Sequence, residues 1–271
     1  MRFPAPPRPV VRLRGAAPGT IGPVRFEERA VEIFPEAVER ETFVARSVAA
    51  LAVHGFVPGS ALAMIGVCRD ELTFPLVDRL QAVWGPAFDL SSLAGMLFLG
   101  RTGISAARHH APSADGRQRF VAFVFSHIGI DEEGVVGQCR RPGQAEPSPA
   151  CGALETFRRE LADGRLDVDL DPHDLEQSLL KQRLLRAITY GDVPDLVSLT
   201  RLARDVIYDD LRELVTQLEH GADTDVAVIS GVQVHGPVGR GFVAPGRSFV
   251  HVGRDRAEHT LALGSPVSKA R

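Results

Sequence analysis

Cysteine is scarce in this chain of 271 residues: only Cys68, Cys139 and Cys151 occur. So few thiols, with no Cys-x-x-Cys motif among them, do not make a disulfide framework. In a reducing compartment each is expected to be catalytic, metal-binding or merely buried. Lysine is rarer still, since Lys181 and Lys269 are the only two and arginine carries nearly all the positive charge. An excess of one charge sign is also lacking. The net charge of −3 gives no electrostatic reason to expect nucleic acid or an anionic membrane as partner. No apolar run reaches the roughly 18 residues needed to span a bilayer. The N-terminal "MRFPAPPRPVVRLRG" lacks the apolar stretch of about 7–15 residues that marks a secretory signal. A cytoplasmic location is therefore expected. Internal repeats and Gly/Ser linkers are missing as well, so nothing divides the chain cleanly.

What is present is an ordinary globular composition, 44% hydrophobic and 24% charged, with length enough for a sizeable core. The expected organisation is a flexible Pro/Arg-rich arm over 1–27, one domain over 28–255 and a tail over 256–271. "FPEAVERETFVARSVAALAVHGF" has helical periodicity, with Pro35 suited to a first turn and Gly55 to the position just past the end. "ALAMIGV" is a continuous apolar run of the kind found in a strand buried on both faces. A helix over 73–84 follows it. "LAGMLFLG" reads as a short strand, and "GISAARHHAP" as a short helix ended by Pro112. "RFVAFVFSHIGI" is a second buried strand, followed by a long irregular stretch rich in Gly and Pro. Helices resume near Pro149, Pro172 and Pro194. "DVAVISGVQVHG", "GFVAPG" and "SFVHVG" read as closing strands. The fold class is α/β, with a mostly parallel or mixed central sheet flanked by helices.

Open α/β sheets place ligands beyond the carboxyl ends of their strands. Cys68 and His127 fall at two such ends, and Cys151 falls in the expected first turn of a helix after a loop long enough to fold back. Two thiolates and one imidazole make a zinc-type donor set, and three protein ligands leave one coordination position open. A helix N-terminus also favours the thiolate form of Cys151. On the residues alone the bland reading stands beside this one. Buried cysteines are common as small apolar residues, and strand-end histidines are often only hydrogen-bonded core residues. Cys139, in "GQCRRPG", reads as an incidental loop thiol, the alternative being that it replaces one of the other two in a metal site. His109 reads as a solvated helix-end residue, and His235 as structural or functional in equal measure. "PDLVSLTRLARDVIYDDLREL" has balanced charge and no basic face, so it reads as a packing helix and not a DNA reader.

Cys68-Arg69-Asp70 at a strand end resembles the first zinc motif of β-class carbonic anhydrases. "GVCRDE", "FLGRTGISAARHHAP", "SHIGIDEEGVVGQCRRPGQ", "ACGAL" and "GVQVHG" occur in the order expected of the limiting-CO2-inducible B/C family, an offshoot of that class. The likeness covers residues 34 to 253. It implies zinc held by Cys68, His127 and Cys151, with Asp70 either beside the metal's open position or closing it as a fourth ligand. It implies reversible hydration of carbon dioxide to bicarbonate, zinc lowering the pKa of bound water to about 7. The common β-class arginine two residues after the aspartate is replaced by Leu72, so Arg69 is expected to pair with Asp70 and keep it ionised. His110 is carried by the family string and is expected to line the pocket or relay protons. A homodimer is implied too. The rivals are a non-catalytic zinc protein of the same fold, serving inorganic-carbon sensing or assembly, and a thiol redox protein using Cys68 and Cys151.

Overall fold

A computed structural model describes residues 24–113, 115–218, 223–254 and 257–264. Most of the expected arm, residues 1–23, and the last residues of the expected tail, 265–271, lie outside the described residues. The first helix, α1 (Val24–Ile33), begins before the expected domain boundary. Phe26, Ala30 and Phe34, four residues apart, share one face of it and sink among Ile128, Ile130, Val232 and Val234. Residues 24–27 thus belong to the domain.

The helix expected from residue 34 starts later, because Pro35 lies in a turn closed by the Ala37 amide on the Phe34 carbonyl. Val38–Glu39 then forms β1, and α2 (Arg40–Ala52) follows. Gly55, at φ +83, stands just past its end as the pattern suggests. β2 (Leu62–Gly66) is the expected buried strand. Met64 joins one hydrophobic core, whereas Ala63 and Ile65 join the other, so both faces are covered. α3 (Phe74–Trp84) and β3 (Phe88–Asp89) come next.

The strand expected over "LAGMLFLG" does not form. Its first residues make a 3-10 turn, Leu93–Gly95, with Ala94 at φ 55 and Gly95 at φ +79. The stretch is apolar because it is buried, not because it is extended. A Cβ on Gly95 would stand 2.3 Å from the Phe125 carbonyl oxygen, which is why glycine is needed there. α4 (Gly100–Ala107) leads to β4 (Gln118–Gly129). Within the irregular segment, β5 (Gln138–Cys139) pairs with β6 (Ser148–Pro149). Three helices follow: α5 (Gly152–Ala162), α6 (Leu175–Ala187) and α7 (Leu196–Val215). β7 (Thr224–His235) and β8 (Gly241–Val252) complete the central strands. "GFVAPG" and "SFVHVG" are two halves of β8, whose pairing with β7 slips between Ile229 and Gly231, opposite Pro245. β9 (Ala257–Thr260) pairs with β8, and Leu261 and Leu263 are buried beyond it. Arg46 Nη1 donates to the Gly264 carbonyl at 2.9 Å. These residues, expected as tail, are part of the domain.

The strand order is β1-β8-β7-β4-β2-β3, with β9 also on β8. β3, β2, β4 and β7 run parallel, and β8 is antiparallel to β7. One face is covered by α4 to α7 and the other by α2 and α3. The result is a mixed sheet between two helical layers, and the parallel strands β2 and β4 deliver their carboxyl ends to the same place.

Candidate metal centre

β2 ends at Gly66, and Cys68 makes an isolated parallel bridge to Ser92. The chain then turns sharply. Asp70 Oδ1 accepts the Leu72 amide at 3.1 Å, and Thr73 Oγ1 donates to the carbonyls of Cys68 (3.0 Å) and Asp70 (2.8 Å). These bonds fix the "CRD" turn. His127 stands two residues before the end of β4, in register with Gln233 of β7. Cys151 is not in the first helical turn, as expected, but immediately before α5, in the left-handed region at φ 61 and ψ 68.

Cys68 Sγ, a ring nitrogen of His127 and Cys151 Sγ all lie within 4.8 Å of one another, and all three residues are buried. The three expected ligands are therefore brought together, from three separate segments. Cys139 is not among them: its sulfur lies 3.9 Å from the Gly236 carbonyl, and burial pushes its thiol pKa up.

Two observations test whether a metal suits this cluster. His127 is fully buried, and among the described residues neither Nδ1 nor Nε2 makes a hydrogen bond of normal geometry, the nearest polar groups being the two thiols. A buried imidazole left bare is costly unless something accepts its lone pair. The second is the donor set, two sulfurs and one nitrogen, which fits a zinc-type ion with one position to spare. The electrostatics agree. The Cys151 thiol, donating to Cys68, holds the Cys68 pKa well below the ordinary thiol value; burial opposes this, and the His127 imidazole adds to the lowering. The same bond, with burial, pushes Cys151 up. One thiolate is thus present already, and a cation would draw off the shared proton.

Asp70 is beside the cluster but outside it. Its partner is not Arg69 but Arg141, whose Nη2 stands 2.9 Å from Oδ2; the Cys151 amide also donates to Oδ2, at 3.4 Å. Burial works to raise the Asp70 pKa, but His127, the Leu72 amide, Arg141 and the Cys151 amide outweigh it and hold the carboxyl below its usual value. Arg141 is itself held by Glu71 Oε1 at 2.5 Å and Ser148 Oγ at 2.6 Å. Arg69, expected on Asp70, turns the other way. It makes a two-pronged contact with Glu176, Nε at 3.2 Å and Nη2 at 2.7 Å. The side chain beside the aspartate in sequence is directed away from it, and a loop arginine takes the place. The only signal for Arg141 was its position in "GQCRRPG", between two ligand segments.

His110 packs edge-on against Phe88 at 5.5 Å, level with Met64 and Ala122 in the sheet. That is five residues short of His127 along β4, about 16 Å at ~3.3 Å per residue, so within one chain it does not line the cluster. His235 does come near, its ring 5.2 Å from that of His127. It is buried, and burial followed by repulsion from His127 pushes its pKa well down, so it is neutral. A cavity of about 620 Å³ opens here, lined among others by Leu72, Arg141 and His235.

A buried Cys2His cluster beyond the carboxyl ends of parallel strands, with an arginine-paired aspartate at its side, defines an α/β protein with a candidate metal centre. The chain belongs to the family of limiting CO2-inducible proteins B/C beta carbonic anhydrases, whose model matches residues 37–252. Among solved structures, the limiting CO2-inducible protein LCIB is 33% identical with a TM-score of 0.72, over 86% of this chain and 97% of that one. PtLCIB4, a homologue of LCIB, shares the fold at 24% identity and a TM-score of 0.76, over 87% of this chain and 99% of that one. No curated protein matches the chain. Among the described residues no helix is long and apolar enough to cross a membrane.

Proposed function

We propose that this chain is a zinc-dependent carbonic anhydrase that interconverts carbon dioxide and bicarbonate, working in the cytoplasm as a homodimer. The observation that carries the reading is the bare, fully buried His127 imidazole facing two thiols within 4.8 Å. Cys68, His127 and Cys151 would hold the metal. Zinc at such a site acts as a Lewis acid and lowers the pKa of water to about 7.

The chain's own residues supply the rest. Asp70, held ionised by Arg141, offers a hydrogen-bond acceptor beside the open position and orients a reacting water. Arg141 and the Cys151 amide share Oδ2, contacts that would hold the carboxylate aside from a metal bound by Cys68, His127 and Cys151. The apolar side chains around the buried cluster keep bulk water out, which suits a nonpolar substrate. The redox rival accounts for two neighbouring sulfurs but not for the bare imidazole between them. A non-catalytic zinc protein would keep the same ligands without turnover.

Metal analysis joined to a carbon dioxide hydration assay tests this. About one zinc per chain is expected, lost in Cys68→Ala, His127→Ala and Cys151→Ala but kept in Cys139→Ala. A chelator should abolish hydration and added zinc restore it. A metal-free protein with a reversible Cys68–Cys151 disulfide would overturn the proposal in favour of redox chemistry. Full zinc occupancy without hydration would favour the non-catalytic reading.

A further inference from the structure

One end of a helix touches the supports of both sulfur ligands. The Ala94 amide donates to Cys68 Sγ at 3.3 Å. It is aimed by two consecutive residues in the left-handed region, Ala94 and Gly95. Such a conformation is strained for alanine and persists only where its surroundings hold it. Two anchors do so. Gly95 is pressed beneath the Phe125 carbonyl, and the Leu93 amide donates to Glu176 Oε2 at 2.9 Å. Glu176, in the first turn of α6, also receives the two-pronged contact from Arg69, the residue after Cys68. The next residue, Gln177, is buried and donates Nε2 to the Ala153 carbonyl at 3.1 Å, two residues past Cys151.

We propose that the first turn of α6 is a brace for the metal centre: Glu176 holds the Ala94 amide on the Cys68 sulfur, and Gln177 holds the Cys151 segment. The inference rests on the metal reading above and assigns both as positioning residues. An N–H donated to a thiolate draws electron density from sulfur, so sulfur donates less to the metal and the metal stays the stronger Lewis acid. Arg69 acts through Glu176 and not through Asp70, which accounts for an arginine beside the first ligand that never meets the aspartate. Glu176 is partly exposed, so its charge is neutralised by the arginine and costs the fold little.

The test uses the full chain loaded with cobalt(II), whose sulfur-to-metal charge-transfer absorption reads the sulfur's donor strength without any turnover. Glu176→Ala should move that band to longer wavelength, because the sulfur regains donor strength. It should nonetheless weaken cobalt binding in competition with a chelator by about 10–100-fold, because the turn that positions Cys68 is no longer held. Glu176→Gln keeps an oxygen for the Leu93 amide but no charge, and should shift the band the same way by less. It also serves if the alanine variant does not fold. Gln177→Ala should weaken binding as well. Glu213→Ala, which removes an exposed pair with Arg101, should change neither reading. Cobalt uptake with the band unmoved in both Glu176 variants would overturn the brace alone. No cobalt uptake by the unaltered protein would overturn the brace and the metal reading together.

Discussion

Asp70 is a carboxylate kept charged in a half-buried place by His127, the Leu72 amide, Arg141 and the Cys151 amide, and of these Arg141 is its salt-bridge partner. Its pKa is depressed in the folded protein, so the stability it contributes is fully present above its unfolded value of about 4 and is lost as pH falls through the folded value. Across the neutral range it is ionised. Removing the Arg141 guanidinium takes away one of the groups that offset burial, so the carboxyl pKa should rise toward its ordinary value. If the proposed hydration activity holds, Arg141→Ala is expected to shift the acid limb of the rate to higher pH and to lower the plateau, as read by stopped-flow from acidic to neutral pH. Arg141→Lys should recover only part, because an ammonium does not give the planar contacts that Asp70, Ser148 and the Pro149 carbonyl receive. Asp70→Asn should retain metal and lose most activity. Full activity in both Asp70→Asn and Arg141→Ala would make the pair structural. Cys68, His127 and Cys151 were legible because each is a ligand-type residue where a strand ends or a helix begins. Arg141 was not: its partnership is made by a loop folding back, which leaves no spacing to read. Arg69 misled for the converse reason, since adjacency in sequence does not set side-chain direction in a tight turn.

Among the elements, the segment from Ser92 to Met96 shows where periodicity misleads. Its apolar residues suggested a strand, yet Ser92 donates to the Met96 carbonyl and closes the segment into a tight turn. Apolar runs report burial, and a buried turn near a site is as apolar as a strand. The helix expected from residue 34 failed for a related reason. Its apolar residues fall in different places, Phe34 just after α1, Val38 in β1 and Val44 in α2, and Pro35 marks a stop and not a start. By contrast β2 and β4 were plain, because strands covered on both faces carry near-continuous apolar runs, here Leu62–Gly66 and residues 120–125. The tight turn leads to a sharp prediction. Gly95→Ala would add a Cβ 2.3 Å from the Phe125 oxygen at a φ of +79, so it combines overpacking with backbone strain. A loss of about 2–4 kcal/mol is expected from the two effects, measured by urea unfolding, with metal affinity falling alongside. An unchanged unfolding midpoint would mean the turn readily relaxes.

At the scale of the whole molecule, packed structure continues past both expected domain boundaries. Phe26 is buried on the N-terminal side, and β9 with Leu261 and Leu263 is docked on the C-terminal side. Neither stretch announces itself in the sequence, because each is short and gains its order from the sheet it covers. That placement bears on how the protein avoids sticking to itself. β4, β7 and β8 are twelve-residue strands, long enough to template addition of foreign chain if an edge were bare. Among the described residues β4 and β7 lie between other strands, whereas β8 has β7 on one side and a long edge on the other. β1 caps that edge at Phe242 and Val243, and β9 caps it from Phe249 to Val252. In the gap between the two caps stands Pro245, which has no amide hydrogen to offer. The opposite rim of the sheet is the two-residue β3. Ending the chain after Gly253 should uncover the Phe249–Val252 edge and raise light scattering on storage at high concentration, while Thr260→Pro should do so more weakly by loosening one cap. If the shortened protein stays as clear as the full chain, the C-terminal strand is not a guard. Otherwise residues 257–264, remote from the metal-type cluster, are what keeps the long edge of the sheet from templating contact with other copies of the chain.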